Sequence, residues 1–364
     1  MRKTLSILLL VFIFSCSGFA FDIDWTERQP AGDNDKSWNS VASDSDGSNL
    51  IAGVLGGRLW TSANSGVSWT ERRPVGNVNG NWRGVASDSD GSNLIATNAY
   101  RLYTSSDSGA NWIERQPEGN KSLAWLAMDS DSDGSHLIVA DYGGFLWISS
   151  DSGANWIESR LDAESYTYIH SVASDDNGSN LIAGVYEGRL YTSSNSGVTW
   201  VERQPAGDVD KIWNSVASDS DGSHLIAGIN YGRLWTSANS GVSWTERRPV
   251  GDANKDWRCV ASDSDGSHLI AGIQNGRLWT SANSGVSWTE RRPVGNVNGN
   301  WRGVASDSDG SHLIAGETTG RLYTGIEGTE AEHPTTTQLL IGGIWFKGTK
   351  QYSDWTRFKR GTTE

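Results

Sequence analysis

The chain has 364 residues and a formal net charge of −13, with 43 Gly, 19 Trp, 7 Pro and 2 Met. So much Gly, Ser, Asn and Asp argues against a helical fold and for short strands joined by tight turns. The acidic balance argues against a nucleic-acid binder, because phosphate contacts need clustered Lys and Arg.

Residues 1–20 read as a signal peptide, which makes the mature protein an exported one. Arg2 and Lys3 form a basic start, Leu5 to Phe14 an apolar run, and Gly18-Phe19-Ala20 a small-residue cleavage site. The apolar run is too short to span a bilayer as a helix. A second reading takes Ile13-Phe14-Ser15-Cys16 as a loose lipobox with a lipid anchor at Cys16, although Phe14 fits that pattern poorly. Cleavage after Ala20 removes Arg2 and Lys3, so the charge moves from −13 to −15, and Cys259 is then the sole cysteine. No internal disulfide can form in that product, despite an export route that would allow one.

From residue 21 to 325 a unit of about 44 residues repeats. The stretch Trp69 to Ser92 recurs unchanged as Trp288 to Ser311. Each unit carries four strand signals, placed in the clearest copy at Trp82–Ala86, Asn93–Ala96, Arg101–Thr104 and Ala110–Glu114. An Asp-Ser-Asp-Gly turn between the first two supplies the positive φ of a tight hairpin. Four short antiparallel strands at this period predict an all-β fold of propeller blades. The Arg-Leu-aromatic third strand occurs at Arg58, Arg101, Phe145, Arg189, Arg233, Arg277 and Arg321, with Phe145 in place of Arg. The Trp-led fourth strand begins at Trp25, Trp69, Trp112, Trp156, Trp200, Trp244 and Trp288. Both counts give a seven-bladed β-propeller. Their phase is offset: the mature chain starts on a fourth strand and its last repeat ends on a third. The N-terminal strand is therefore expected to complete the last blade and leave no open edge.

The turn from third to fourth strand reads Ser-x-Asp-x-Gly-x-x-Trp at Asp107 and Asp151, with Asn in that place at Asn64, Asn195, Asn239 and Asn283. A short polar side chain here accepts backbone N–H groups and Gly takes the unusual φ, which gives these six residues a structural role. The motifs resemble the Asp-box (BNR) repeats of sialidases and related propeller glycosidases. With seven blades and an export signal, the chain looks most like the photosystem II stability/assembly factor family. The resemblance covers about residues 22–325 and implies a propeller that binds partner proteins and is not enzymatic.

Direct evidence of chemistry is thin. The Arg-Ile-Pro tripeptide of sialidases is absent, and arginines such as Arg58, Arg72 and Arg73 are repeat-borne. The repeat-borne Glu27, Glu71, Glu114, Glu158, Glu202, Glu246 and Glu290 are a poor way to build one asymmetric site. Glu187 and Glu317 stand on turns outside the repeat phase, where either could serve a glycoside hydrolase, although surface solvation is the better reading. Asp129-Ser130-Asp131-Ser132-Asp133-Gly134 opens like a calcium loop, but Leu137 and Ala140 stand where ligands are needed. We read it as the ordinary hairpin turn with two residues inserted. His136, His224, His268 and His312 share one repeat position on separate blades, where solvation is expected. Neither a metal nor a cofactor is implied.

Variation concentrates on the face that carries the second-to-third turns and the loops between blades. Tyr100, Tyr142, Tyr186 and Tyr231 lie there on four consecutive blades, and the irregular loop Leu161–Ile169 adds Tyr166 and Tyr168. Six tyrosines on one face suit recognition of a protein or glycan partner; drift in tolerant surface turns is the plain alternative. Residues 326–337 read as a polar linker, and 338–364 as a basic extension with a strand or hairpin at Leu339–Phe346. The expected function is a non-catalytic scaffold that binds through its variable face. An exported sialidase-like or xyloglucanase-like hydrolase is the alternative, and a purely structural surface disc a weaker third.

Overall fold

The computed structural model describes residues 22–117, 119, 124–161, 168–328, 337–341 and 344–348. The signal segment, Cys16 and Tyr166 lie outside them. The chain divides into two compact units, residues 1–327 and 328–364.

The first unit is a seven-bladed β-propeller of four-stranded antiparallel blades. Blades 1 to 6 span residues 38–72, 80–115, 125–159, 169–203, 213–247 and 257–291. Blade 7 takes three strands from residues 301–327 and its outermost strand from Ile23–Arg28. That strand pairs antiparallel with Leu322–Glu327, in the register Ile23↔Glu327 through Arg28↔Leu322. The expected N-terminal clasp is therefore present. In the outer strands the sequence reading starts early: the fourth strand of blade 2 runs only from Ile113 to Arg115, because the preceding Ala110 to Trp112 are held in the turn.

The innermost strand of each blade packs against its neighbours around the axis, and the ring closes where residues 38–43 meet 301–306. Trp38, Trp82, Trp213, Trp257 and Trp301, which lead five of these strands, are fully buried. Burying an aromatic ring of this class removes roughly 150–250 Å² from water, an upper-limit gain of about 4–6 kcal/mol each. The core is divided into clusters that bridge adjacent blades. Ile51 and Leu59 of blade 1 pack on Trp82, Val85 and Tyr103 of blade 2. At the seam Trp38 and Val41 pack on Ile314 and Leu322, and Ile23 and Trp25 lie against the cluster of Trp301 and Tyr323.

Polar links reinforce the ring. In every blade but the third, where Ser159 stands instead, the fourth-strand arginine donates Nε to the third-strand threonine of its own blade, as in Arg72 to Thr61 at 2.7 Å and Arg28 to Thr324 at 2.8 Å. In four of them Nη2 also donates to the next blade, for example to Ser108 O at 3.2 Å from Arg72 and to Ser65 O at 3.5 Å from Arg28. At the foot of the inner strands the hairpin turns form a closed circuit of seven backbone hydrogen bonds of 2.9–3.1 Å: Ser45, Ser89, Ser132, Asp176, Ser220, Ser264 and Ser308 each donate to the next, and Ser308 donates to Ser45.

In the second unit, Thr337–Ile341 pairs antiparallel with Ile344–Gly348, with Leu339 opposite Phe346. Among the described residues no helix is long and apolar enough to cross a membrane.

Candidate functional site

Antiparallel blade order puts the hairpin turns and the Ser-x-(Asn/Asp)-x-Gly turns on one face, and the second-to-third turns and interblade loops on the other. We call these the turn face and the loop face.

On the turn face the Asn or Asp side chain of each Ser-x-(Asn/Asp) turn is bonded inside that turn. Asn64 Oδ1 accepts Ser68 N at 2.8 Å, Ser62 Oγ accepts Gly66 N at 2.9 Å, and Trp69 Nε1 donates to Gly66 O at 3.0 Å. Asn195, Asn239 and Asn283 repeat the arrangement. Where Asp stands, Asp107 and Asp151 accept Asn111 N and Asn155 N at 2.7 Å, and these bonds hold both carboxyls below the usual range. The residue before each Gly is also left-handed, for example Ser65 at φ 52°.

The four histidines differ from expectation. They are half-buried, and each donates Nδ1–H to a buried aspartate at 2.7–2.8 Å: His136 to Asp131, His224 to Asp219, His268 to Asp263 and His312 to Asp307. The hairpin buries its first Asp, and the residue five positions on is the nearest available donor. Asn49, Asn93 and Asn180 do the same work in the other blades. The triads Asp131–Asp133–His136 and Asp263–Asp265–His268 place their ligand atoms within 4.8 Å of one another. Those atoms already serve the turn, however, since Asp133 and Asp265 each accept a serine N–H at 2.8 Å. Asp129 is aimed elsewhere, accepting Ser174 N at 2.9 Å, and burial pushes its carboxyl up to about 6.

The bond to Asp263 raises the imidazole of His268 above its ordinary value. The contribution of this pair is thus fully present below about pH 6.5, the unfolded value, and is lost as pH rises through the raised folded value. His268→Asn, which copies three other blades, is expected to flatten the fall of the melting midpoint above about pH 6.5. Parallel wild-type and variant curves from pH 5 to 9, in a scanning-calorimetry series, would remove the pair from this account.

The loop face is organised by a second set of arginines. The guanidinium at the start of the third strand gathers the carbonyls of the loop that follows its blade. Arg58 bonds Gly76 O at 2.7 Å, Arg233 bonds Gly251 O at 2.6 Å, and Arg321 bonds Gly32 O at 2.8 Å. Blades 2 and 3 break this pattern. Arg101 turns instead to Glu114, and Phe145 replaces the arginine, with Arg160 lying 4.2 Å above its ring. The exposed tyrosines gather beside this break. Tyr142 and Tyr168 have ring centroids 4.5 Å apart, Tyr168 meets Tyr186 edge-on at 6.5 Å, and Tyr186 lies 6.2 Å from His170. Hydrogen bonding to Tyr142 holds the Tyr168 phenol above its usual value. Asp141, which sequence reasoning passed over, sets the turn that carries Tyr142 by accepting Gly143 N at 2.7 Å and Trp147 Nε1 at 3.2 Å. Tyr100 and Tyr231 are exposed at blades 2 and 5, with no ring contact among the described residues.

The axial channel opens on the same face and holds a cavity of about 390 Å³. In every blade the first strand slips register by one residue just after its leading Trp or Ile. Such bulges re-aim a side chain, and the bulged residues all line the channel: Asn39, Arg83, Leu126, His170, Asn214, Arg258 and Arg302. Sequence reasoning missed this ring. Its signal was a position that varies between Asn, Arg, Leu and His inside an otherwise repetitive strand.

The carboxylates of the hydrolase alternative are not brought together. Glu187 is exposed on blade 4, at φ 52°. Glu317, three blades away, accepts Asn300 N at 3.1 Å, and its half-burial raises its carboxyl.

No family model and no curated protein matches the sequence. Solved structures do. YCF48 from Cyanidioschyzon merolae aligns at 16% identity and TM-score 0.64, over 82% of this chain and 98% of that one. The likeness is one of fold. A structure of YCF48 bound to D1 peptide aligns at 15% identity and TM-score 0.65, over 84% and 97% of the two chains. The GH74 xyloglucanase from Xanthomonas campestris aligns at 18% identity and TM-score 0.62 over 82% of this chain, which spans only 53% of that enzyme. The propeller resembles YCF48 over nearly that protein's whole length and the xyloglucanase over about half.

Proposed function

We propose that the chain is an exported, non-catalytic propeller scaffold that holds a protein partner on its loop face. The observation that carries this reading is the cluster of Tyr142, Tyr168 and Tyr186, stacked beside His170 at the break in the arginine clamps. All three rings remain more than a third exposed, at 55%, 42% and 38%. Rings fixed by mutual contact lose little side-chain freedom on binding, which suits them to anchor a partner. A similar fold in YCF48 bound to D1 peptide supports a protein rather than a glycan as the ligand.

A displayed random-peptide library tests it. The wild type is expected to enrich a consensus that Tyr142→Ala/Tyr168→Ala/Tyr186→Ala loses, while both proteins melt alike. Equal enrichment on the triple variant would reject the site. Half-buried Glu317 is what keeps the hydrolase reading open; turnover of fluorogenic glycosides that disappears in Glu317→Gln would replace the scaffold reading.

A further inference from the structure

Nearly every arginine described in this acidic chain has a carboxylate, carbonyl or hydroxyl to meet. Those at the start of the third strand clamp loop carbonyls or pair with glutamate, those at the end of the fourth reach threonine, and those beyond it pair with acids such as Glu71, Glu246 and Glu290. Arg83, Arg258 and Arg302, the three on the channel bulges, form no ion pair among the described residues. Arg258 makes one long bond, Nη1 to Asn214 Oδ1 at 3.3 Å, and Arg83 and Arg302 make none. Asp256 lies close enough to influence Arg258 and Arg302, yet its Oδ1 accepts Asn214 Nδ2 at 2.8 Å instead. Arg302 is half-buried, and burial and the like charge of Arg258 press on it against the attraction of Asp256.

The ring as a whole is built from donors. Around the axis stand Asn39, Arg83, Leu126, His170, Asn214, Arg258 and Arg302, so six of the seven carry N–H groups and none is an acid; Asp129, which also lines the cavity, is taken up by Ser174 N at 2.9 Å. Arg258 and Arg302 are half-buried and Arg83 is exposed; half-buried positive charge without an ion pair is costly unless something neutralises it. The amides are engaged within the protein, Asn39 Nδ2 with Arg83 O at 2.7 Å and Asn214 Nδ2 with Asp256 Oδ1 at 2.8 Å, so the guanidinium forks on this cavity are the donor set for an oxoanion. Because His170 is held toward neutrality by burial and by the two arginines, the positive charge of the mouth belongs to the guanidinium groups.

We propose that the loop-face mouth of the axial channel binds a small multivalent oxoanion, held by Arg258 and Arg302 with Arg83 closing from the far side. This site does not depend on the tyrosine cluster and stands or falls separately from the partner-binding reading.

The test uses inorganic phosphate, sulfate and citrate as probes, with chloride at matched ionic strength as control, in isothermal titration and thermal melts of the full chain. At least one probe is expected to bind saturably and raise the melting midpoint where chloride does not. Arg258→Gln/Arg302→Gln is expected to weaken that binding more than about tenfold, and exposed Arg73→Gln to leave it unchanged. Should the double variant fail to fold, Arg83→Gln alone is expected to weaken binding and Leu126→Arg, a further donor in the ring, to tighten it. Absence of saturable binding by all three probes, or equal affinity in a folded Arg258→Gln/Arg302→Gln protein, overturns the proposal. So does an unchanged affinity in both single variants.

Discussion

A chain lacking residues 21–30 is expected to melt about 6–20 °C below the intact protein. The lost strand pairs six residues with Leu322–Glu327 and lays Ile23 and Trp25 on the cluster around Trp301 and Tyr323. It also takes Arg28 with it, which joins Thr324 of blade 7 to Ser65 of blade 1. Losing one buried aromatic contact and its hydrogen-bonded strand costs about 3–5 kcal/mol, and a domain of this size shifts by roughly 2–4 °C per kcal/mol. The strand left behind is an unpaired edge, so the truncated protein should also self-associate in sedimentation. A midpoint unchanged by the deletion would mean that ring closure does not rest on the clasp.

Gly266→Ala is expected to destabilise by about 2–5 kcal/mol, from left-handed strain plus overpacking. Gly266 sits in a hairpin turn at φ +74°, and a Cβ there would lie 2.4 Å from His224 Cβ on the preceding blade. His224 cannot yield, because its ring is tied to Asp219 at 2.7 Å. Gly207 has the same φ of +74° with nothing within 4 Å, so Gly207→Ala carries the backbone strain alone, about 1–2 kcal/mol. The gap between their urea midpoints isolates the interblade contact. Two variants of equal stability would show that the turns move apart at no cost.

The blade count, strand order and N-terminal closure were legible because repetition makes every blade report the same pattern, and because Trp25 and Tyr323 lie out of phase at the two ends. The histidines were misjudged because pairing with Asp131 or Asp263 depends on how deeply a hairpin buries its first acid, which spacing does not reveal. The bulge ring stayed hidden for a related reason. Arg258 follows Trp257 in a strand whose alternation would turn it toward a neighbouring blade, and only the register slip redirects it to the axis. Among the tyrosines the sequence indicated the shared face, but not that Tyr142, Tyr168 and Tyr186 would touch while Tyr100 and Tyr231 stand apart from them.

The seam also fixes an order in time. Ile23–Arg28 is the first part of the propeller to be synthesised, and its partner Leu322–Glu327 is the last. Until the final repeat has emerged, that leading segment has no native mate, while six fourth strands of nearly the same sequence are made and used beside it. Closure of the ring therefore waits for the whole repeat array and is slowed by the length of chain it must span.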